Sequence, residues 1–206
     1  NKNKIKPNFK NIFKSKSLKT FSHIRLSIFP DGGIARIKLL GSIDLSLHKF
    51  SSRKIIDLAS VLNGSNIIAC SDEHFGNANN ILLPGKSKNM GNGWETRRRR
   101  GRGHDWIIIN LGFPGMPKQF EINTHFFKGN YPDSFSIQAS MENKHQSIKS
   151  IVNKSQKWKT IIKKTKLNAN SSLKIKNNYI NNINYIKINI FPDGGISRFR
   201  ARGKVK

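Results

Sequence analysis

The 206-residue sequence holds one cysteine, Cys70, and only 11 acidic residues against 38 Lys and Arg, for a formal net charge of +27. A lone thiol cannot staple a fold, so the chain must rely on a buried core, and a reducing compartment suits it better than secretion. No run reaches the roughly 18 apolar residues that a membrane helix needs, which argues against a membrane partner. Also missing are His-Glu-x-x-His, Cys-x-x-Cys, a Walker phosphate loop and a nucleophile elbow, so the commonest hydrolase and nucleotide-binding signatures are absent. The expected location is intracellular, either cytoplasmic or mitochondrial.

The acids are few and also unevenly placed. None precedes Asp31 and none lies between Glu142 and Asp193, whereas six of the 11 fall from Asp72 to Asp133. A mixed-charge centre therefore sits between basic flanks. Residues 1–22 are rich in Lys, Asn and Ser and read as a basic arm, the pattern of disordered arms and organellar presequences alike. A first residue other than Met points to processing or trimming. Residues 143–184, rich in Lys and Asn, read as a long insertion, by default a surface loop with one strand around Trp158 to Ile162. A basic, acid-poor surface attracts polyanions through phosphate contacts and counterion release, although a solvated basic surface and a source bias toward Lys give the same composition.

The heptapeptide Ile-Phe-Pro-Asp-Gly-Gly-Ile begins at Ile28 and recurs unchanged at Ile190. Alternating apolar and polar residues flank each copy: His23-Ile-Arg-Leu-Ser and Ala35-Arg-Ile-Lys-Leu around the first, Tyr185-Ile-Lys-Ile-Asn and Ser197-Arg-Phe-Arg-Ala around the second. That period belongs to half-buried strands, and Pro-Asp-Gly-Gly is turn chemistry, since proline fixes φ and glycine permits positive φ. Each unit should thus be strand, turn, strand. The boundaries that follow are an arm at 1–22, an orphan hairpin at 23–41 resembling the end of a preceding repeat, a linker at 42–56, a domain at 57–203 and a tail at 204–206. Further strand-like runs are Asn66 to Cys70, Trp106 to Leu111, Gln119 to Thr124 and Phe135 to Ala139, with a helical turn or two expected from Ile55 to Asn63. Short strands punctuated by Gly, Pro and Asn predict an all-β, antiparallel sandwich.

The polar groups that chemistry would use gather in four segments: Ser71-Asp-Glu-His-Phe-Gly, Gly93-Trp-Glu-Thr-Arg-Arg-Arg-Arg, Gly103-His-Asp-Trp and Asn123-Thr-His-Phe-Phe-Lys-Gly-Asn. Asp72, Glu73, His74, His104, Asp105 and His125 are candidates for a general base, a proton donor or metal ligands, and spacing does not choose among these jobs. Structural alternatives stand beside each: Asp72 or Asp105 capping a turn, His104 meeting a buried carbonyl, Trp94 and Trp106 serving as core. In an extended run, alternate members of Arg97, Arg98, Arg99 and Arg100 face opposite sides, so two can clamp a carboxylate while two stay solvated or meet phosphate; Glu95 can pair one of them.

These segments, with Asp57-Leu-Ala-Ser, Asn79-Asn-Ile-Leu-Leu-Pro-Gly, Asn89-Met-Gly-Asn-Gly, His125-Phe-Phe-Lys-Gly-Asn-Tyr-Pro-Asp-Ser and both Phe-Pro-Asp-Gly-Gly blocks, resemble the second repeat of the allantoicase family from His23 to Gly203, outside the arm and the insertion. The resemblance implies a jelly-roll sandwich similar to galactose-binding-like domains, usually in two tandem copies. It also implies an amidinohydrolase that converts allantoate to ureidoglycolate and urea. Carried onto this sequence, Arg97 or Arg99 would hold the substrate carboxylate, with Trp94 and Glu95 beside it. A group among Asp72, Glu73, His74, His104, Asp105 and His125 would activate water and protonate the leaving nitrogen. A divalent metal on His and carboxylate ligands is left open, and no other cofactor is implied. A rival reading is a non-catalytic, allantoicase-derived component of an RNA-rich assembly such as a mitochondrial ribosome. Its RNA contacts would be Lys2, Lys4, Lys6, Lys10, Lys14, Lys16, Lys19, Arg98, Arg100, Lys163, Lys164 and Lys166. The orphan hairpin calls for a cover, either a second copy of the chain in a homo-oligomer or another chain.

Overall fold

A computed structural model describes residues 2–15, 17, 19–21, 23–41, 54–143 and 145–206. The chain divides into two compact units, Asn1–Asp44 and Leu45–Lys206. No described helix is long and apolar enough to cross a membrane.

The described residues of the first unit contain no strand or helix, so the hairpin expected at 23–41 is not formed as paired strands. Its alternating side chains lie in the open; Ile24 is 62% exposed and Leu40 is 96% exposed. A strand needs an edge to donate to, and this stretch has none within its unit. The turn chemistry survives without the strands: the Phe29–Pro30 and Phe191–Pro192 peptides are both cis, and Gly32 and Gly194 share a φ of 130°, a value that excludes a side chain.

The second unit is built from β1 (Ile56–Asp57), β2 (Asn66–Cys70), β3 (Trp94–Glu95), β4 (Asp105–Asn123), β5 (Ser134–Ser140), α1 (Ile148–Ser155), β6 (Lys159–Lys166), β7 (Ser172–Lys176), β8 (Ile183–Phe191), β9 (Gly195–Ile196) and β10 (Arg198–Val205). The helical turns expected over Ile55–Asn63 resolve into β1 and one 3-10 turn at Val61–Asn63, capped by the Ser60 hydroxyl. The two runs expected at Trp106 to Leu111 and Gln119 to Thr124 are one strand, β4. Its first half pairs with β2 and β8, and its second half, beyond Gly115, pairs with β10 and β7. β4 therefore crosses between two antiparallel layers, β2–β4–β8–β5–β6 and β1–β10–β4–β7, with its ladder to β8 interrupted between Asn110 and Gly115.

Residues 143–184 are not the surface loop their composition suggests, and the strand expected around Trp158 to Ile162 is β6. They supply α1, β6 and β7, one strand to each layer. The core lies between the layers, where Ile107, Ile109, Phe120, Ile122, Phe135, Ile186, Ile188, Ile190 and Phe199 meet Trp94 and Leu58. Each such side chain contributes about 1.5–3 kcal/mol of burial. A smaller cluster of Ile108, Ile151, Trp158 and Tyr185 seats α1 on the outer face of the first layer.

Candidate functional site

The second Pro-Asp-Gly-Gly block organises one end of the sandwich. β9 follows directly from it and pairs with β3, Trp94 opposite Ile196 and Glu95 opposite Gly195. The Thr96 hydroxyl accepts from Gly194 N–H (3.1 Å), Thr96 N–H donates to Gly194 O (3.3 Å), and Arg99 N–H donates to the Asp193 carboxylate (2.8 Å). The turn thus fixes the run that carries Glu95 and the arginines. Trp94 and Thr96 turn inward, so Glu95 and Arg97 share the other side of this extended run. Trp94 is fully buried and its indole N–H donates to Asp72 O (2.7 Å). It acts as a core post, the structural alternative to a place beside the substrate carboxylate.

Besides Asp193, two acids grip the arginine run. Asp72 Oδ2 accepts from Arg97 N–H at 2.7 Å, while the Arg97 guanidinium lies 3.8 Å from the other carboxylate oxygen and remains 69% exposed. Asp105 is buried and binds both the Arg99 guanidinium and the Ser71 hydroxyl (2.9 Å). Arg99 is therefore committed to an internal ion pair, with its Nε buried and unpartnered among the described residues. Arg97 is the guanidinium that stays available. Glu95 accepts from Asn130 Nδ2, and its main chain meets the preceding loop through Gly76 and through Phe75 N–H (3.2 Å).

The remaining candidates scatter. Glu73 caps the 3-10 turn Ala78–Leu82 by accepting from Asn77 Nδ2 and Ala78 N–H, both at 3.0 Å. His74 is exposed, edge-on to Phe75 at 4.5 Å between centroids. His104 faces Asn189 on the outer sheet face, its Nε2 3.1 Å from Asn189 Oδ1, and leans on Phe191. His125 is half-buried just beyond β4. No three His, Cys, Asp or Glu side chains among the described residues converge to hold a metal, so the donor set that the divalent ion left open by the sequence would use does not assemble within them. Cys70 is no nucleophile in waiting: burial, then the charges of Glu73 and Asp72, push its thiol up to about 11.

Two arginines hold this end together without belonging to any of the four candidate segments. The Arg198 guanidinium is buried against the carbonyls of Gly85, Lys86, Asn92 and Ser197 and the Asn92 side chain, and Arg200 binds the carbonyls of Ile81, Leu83, Gly85 and Phe199. These two side chains staple the 81–92 loop to β10. The arginines after the repeat are a visible signal, but their acceptors are backbone carbonyls, which no residue type announces.

The basic residues assigned to RNA lie on separate elements. Lys2, Lys4, Lys6, Lys10, Lys14 and Lys19 are exposed in the first unit, and Lys16 lies outside the described residues. Arg98 and Arg100 flank the Asp193-bound Arg99, and Lys163, Lys164 and Lys166 line β6, the edge strand of its layer.

A two-layer antiparallel sandwich of this kind is the fold of galactose-binding-like domains. The fold matches that of the C-terminal domain of a chitobiase from Bacteroides fragilis at a TM-score of 0.53 and 16% identity, over 74% of this chain and 99% of that one. Within that class the particular family is plain. The family model for the allantoicase repeat matches residues 1–44 and 56–206, running through both the basic arm and the 143–184 segment. A probable allantoicase of Pseudomonas fluorescens (strain Pf0-1) is 43% identical over 91% of this chain and 57% of its own length. The crystal structure of allantoicase from Saccharomyces cerevisiae matches at a TM-score of 0.64 and 31% identity, over 72% of this chain and 43% of that one. The chain belongs to the allantoicase family, and it spans little more than half the length of the curated relatives it matches.

Proposed function

We propose that this chain forms part of an allantoicase, hydrolysing allantoate to ureidoglycolate and urea, with Glu95 and Arg97 as the reacting pair. The observation that carries the proposal is their position on one side of the Trp94–Arg99 run, beside Asp72 and Asn130, in a family member whose Arg99 is already spent on Asp105. Arg97 pairs with the substrate carboxylate, a charge-assisted contact its exposed guanidinium is free to make. Asp72 is a positioning residue, holding the Arg97 backbone in place.

Water attacks the central carbon of allantoate as the bond from that carbon to one ureido nitrogen breaks. Glu95 takes the proton from the water and returns it to the departing nitrogen, so urea leaves neutral and the new hydroxyl stays on ureidoglycolate. Asn130, on the Glu95 carboxylate, orients it and presents an amide to the ureido group.

The test is urea release from allantoate by the purified protein. Glu95→Gln should lower kcat by about 10²–10⁴-fold, and Arg97→Ala should raise KM with kcat little changed. Unaltered turnover in Glu95→Gln, or no urea from the native protein, would defeat the reading.

A further inference from the structure

The loop from Thr124 to Asn130 leaves the end of β4 and delivers Asn130 to Glu95, and the turn between β6 and β7, residues 168–171, is bonded to it. Thr124 is fully buried. Its hydroxyl donates to Asn168 O (2.6 Å) and accepts from Ser171 N–H (3.0 Å), and its own N–H donates to Ser171 O (2.8 Å). Two residues further on, Phe126 N–H donates to the Asn170 side-chain oxygen (2.9 Å), and Asn170 N–H donates to Phe127 O (3.0 Å).

These bonds hold an uncommon backbone. Phe126 has a φ of 72°, in the left-handed region that a bulky residue seldom enters, and Asn170 has a φ of 46°, which asparagine adopts more readily. Past Phe126, the fully buried Phe127 lays its ring on Gly93 and Gly195. A Cβ on Gly93 would lie 3.0 Å from that ring, and one on Gly195 would overlap it. Gly195 is the residue opposite Glu95, and its N–H donates to Asn130 O (2.8 Å), while Asn130 Nδ2 donates to the Glu95 carboxylate. Phe127 and Asn130 thus fix Glu95 twice, through its strand partner and through the amide on its carboxylate.

We propose that Asn170 is a positioning residue for Glu95, acting through Phe126, Phe127 and Asn130. Asn170 is exposed, so its side chain contributes little to the core; what its oxygen secures is the left-handed conformation of Phe126. The segment 143–184 then serves the site as well as the sheets. The inference rests on the reading of Glu95 as the base, but the placement of Glu95 is measurable without turnover.

The experiment compares the purified protein with Asn170→Gly and Asn170→Asp. Asn170→Gly tolerates the left-handed backbone, keeps the N–H bond to Phe127 O and removes only the acceptor, whereas Asn170→Asp restores an acceptor at the same place. In Asn170→Gly, the Phe126 and Gly195 amides should lose about two- to tenfold of their protection from hydrogen exchange, read by NMR, with the β8 amides unchanged. Asn170→Asp should restore it. Urea release should show kcat lowered by about two- to tenfold in Asn170→Gly, with KM unchanged because Arg97 stays on Asp72. Asn130→Ala combined with Asn170→Gly should be no slower than Asn130→Ala alone. Undiminished protection of Gly195 in Asn170→Gly, a loss shared equally by the β8 amides, or a double variant slower than Asn130→Ala by the full Asn170→Gly factor would overturn the proposal. A native protein that releases no urea while Gly195 responds as expected would remove Glu95 as the base and support the positioning role.

Discussion

Glu142 accepts from Ser140 Oγ (2.8 Å), Trp158 Nε1 (2.8 Å) and Gln146 Nε2 (3.2 Å), while its backbone exchanges two hydrogen bonds with the Asn184 side chain. This one residue ties the segment leading into α1 to the start of β8. Burial pushes its carboxyl up, but the three donors and the charge of Lys154 together outweigh burial and bring it below its ordinary value of 4.5. A carboxylate with a depressed folded value stabilises fully above the unfolded value, and that contribution fades as pH falls through the folded one. Glu142→Gln should therefore be less stable than the native protein at neutral pH, with the gap closing below about pH 4.5; urea unfolding at several pH values, followed by tryptophan fluorescence, measures it. At this scale the sequence was legible where a motif sets a backbone. It set Asp72 and Asp105 among six acid–base or metal-ligand candidates and Arg97 or Arg99 as the carboxylate clamp, but it could not tell that Arg99 closes on Asp105 while Arg97 stays open, because that choice depends on burial created by strands distant in sequence.

At the scale of elements, hydrophobic period located most strands of the second unit, and β2 falls on the residues its pattern gave. The errors have two physical causes. Gly112, Pro114, Gly115 and Pro117 break the alternation of β4 at the place where it leaves one layer for the other, so a continuous strand reads as two. β7 escaped, and β6 was expected only around Trp158 to Ile162, because their exposed faces are filled with lysine, which resembles loop composition. On an edge strand that lysine has a purpose: among the described residues β6 pairs only with β5, and charge along its open side discourages pairing with another chain. The double change Lys163→Val and Lys166→Val should leave the unfolding midpoint nearly unchanged yet raise aggregation, measured as light scattering against time at matched concentration. Scattering equal to the native protein would mean that the edge is guarded by something else.

At the scale of the whole molecule, the two heptapeptide copies show how far local chemistry reaches without a core. Both copies make the same cis-proline turn with the same glycine φ, but only the second is flanked by strands, because β4 and β5 stand ready to pair β8 and β4 to pair β10. In the first unit Phe9, Phe13, Phe21, Ile24, Leu26 and Phe29 are all exposed, whereas every residue of the two apolar clusters lies between Ile56 and Val205. Cooperativity follows buried apolar surface, and a segment that buries little cannot offset the entropy of ordering its chain. Residues 54–206 produced alone should thus unfold in a single sigmoidal transition, with coincident circular dichroism and tryptophan curves. Residues 1–44 produced alone should show no transition and should enhance the fluorescence of a hydrophobic dye. A cooperative transition in the short piece would place a core where the exposed phenylalanines deny one, and a broad, probe-dependent transition in the long piece would mean that the β4 crossover cannot hold its two layers together without the first unit.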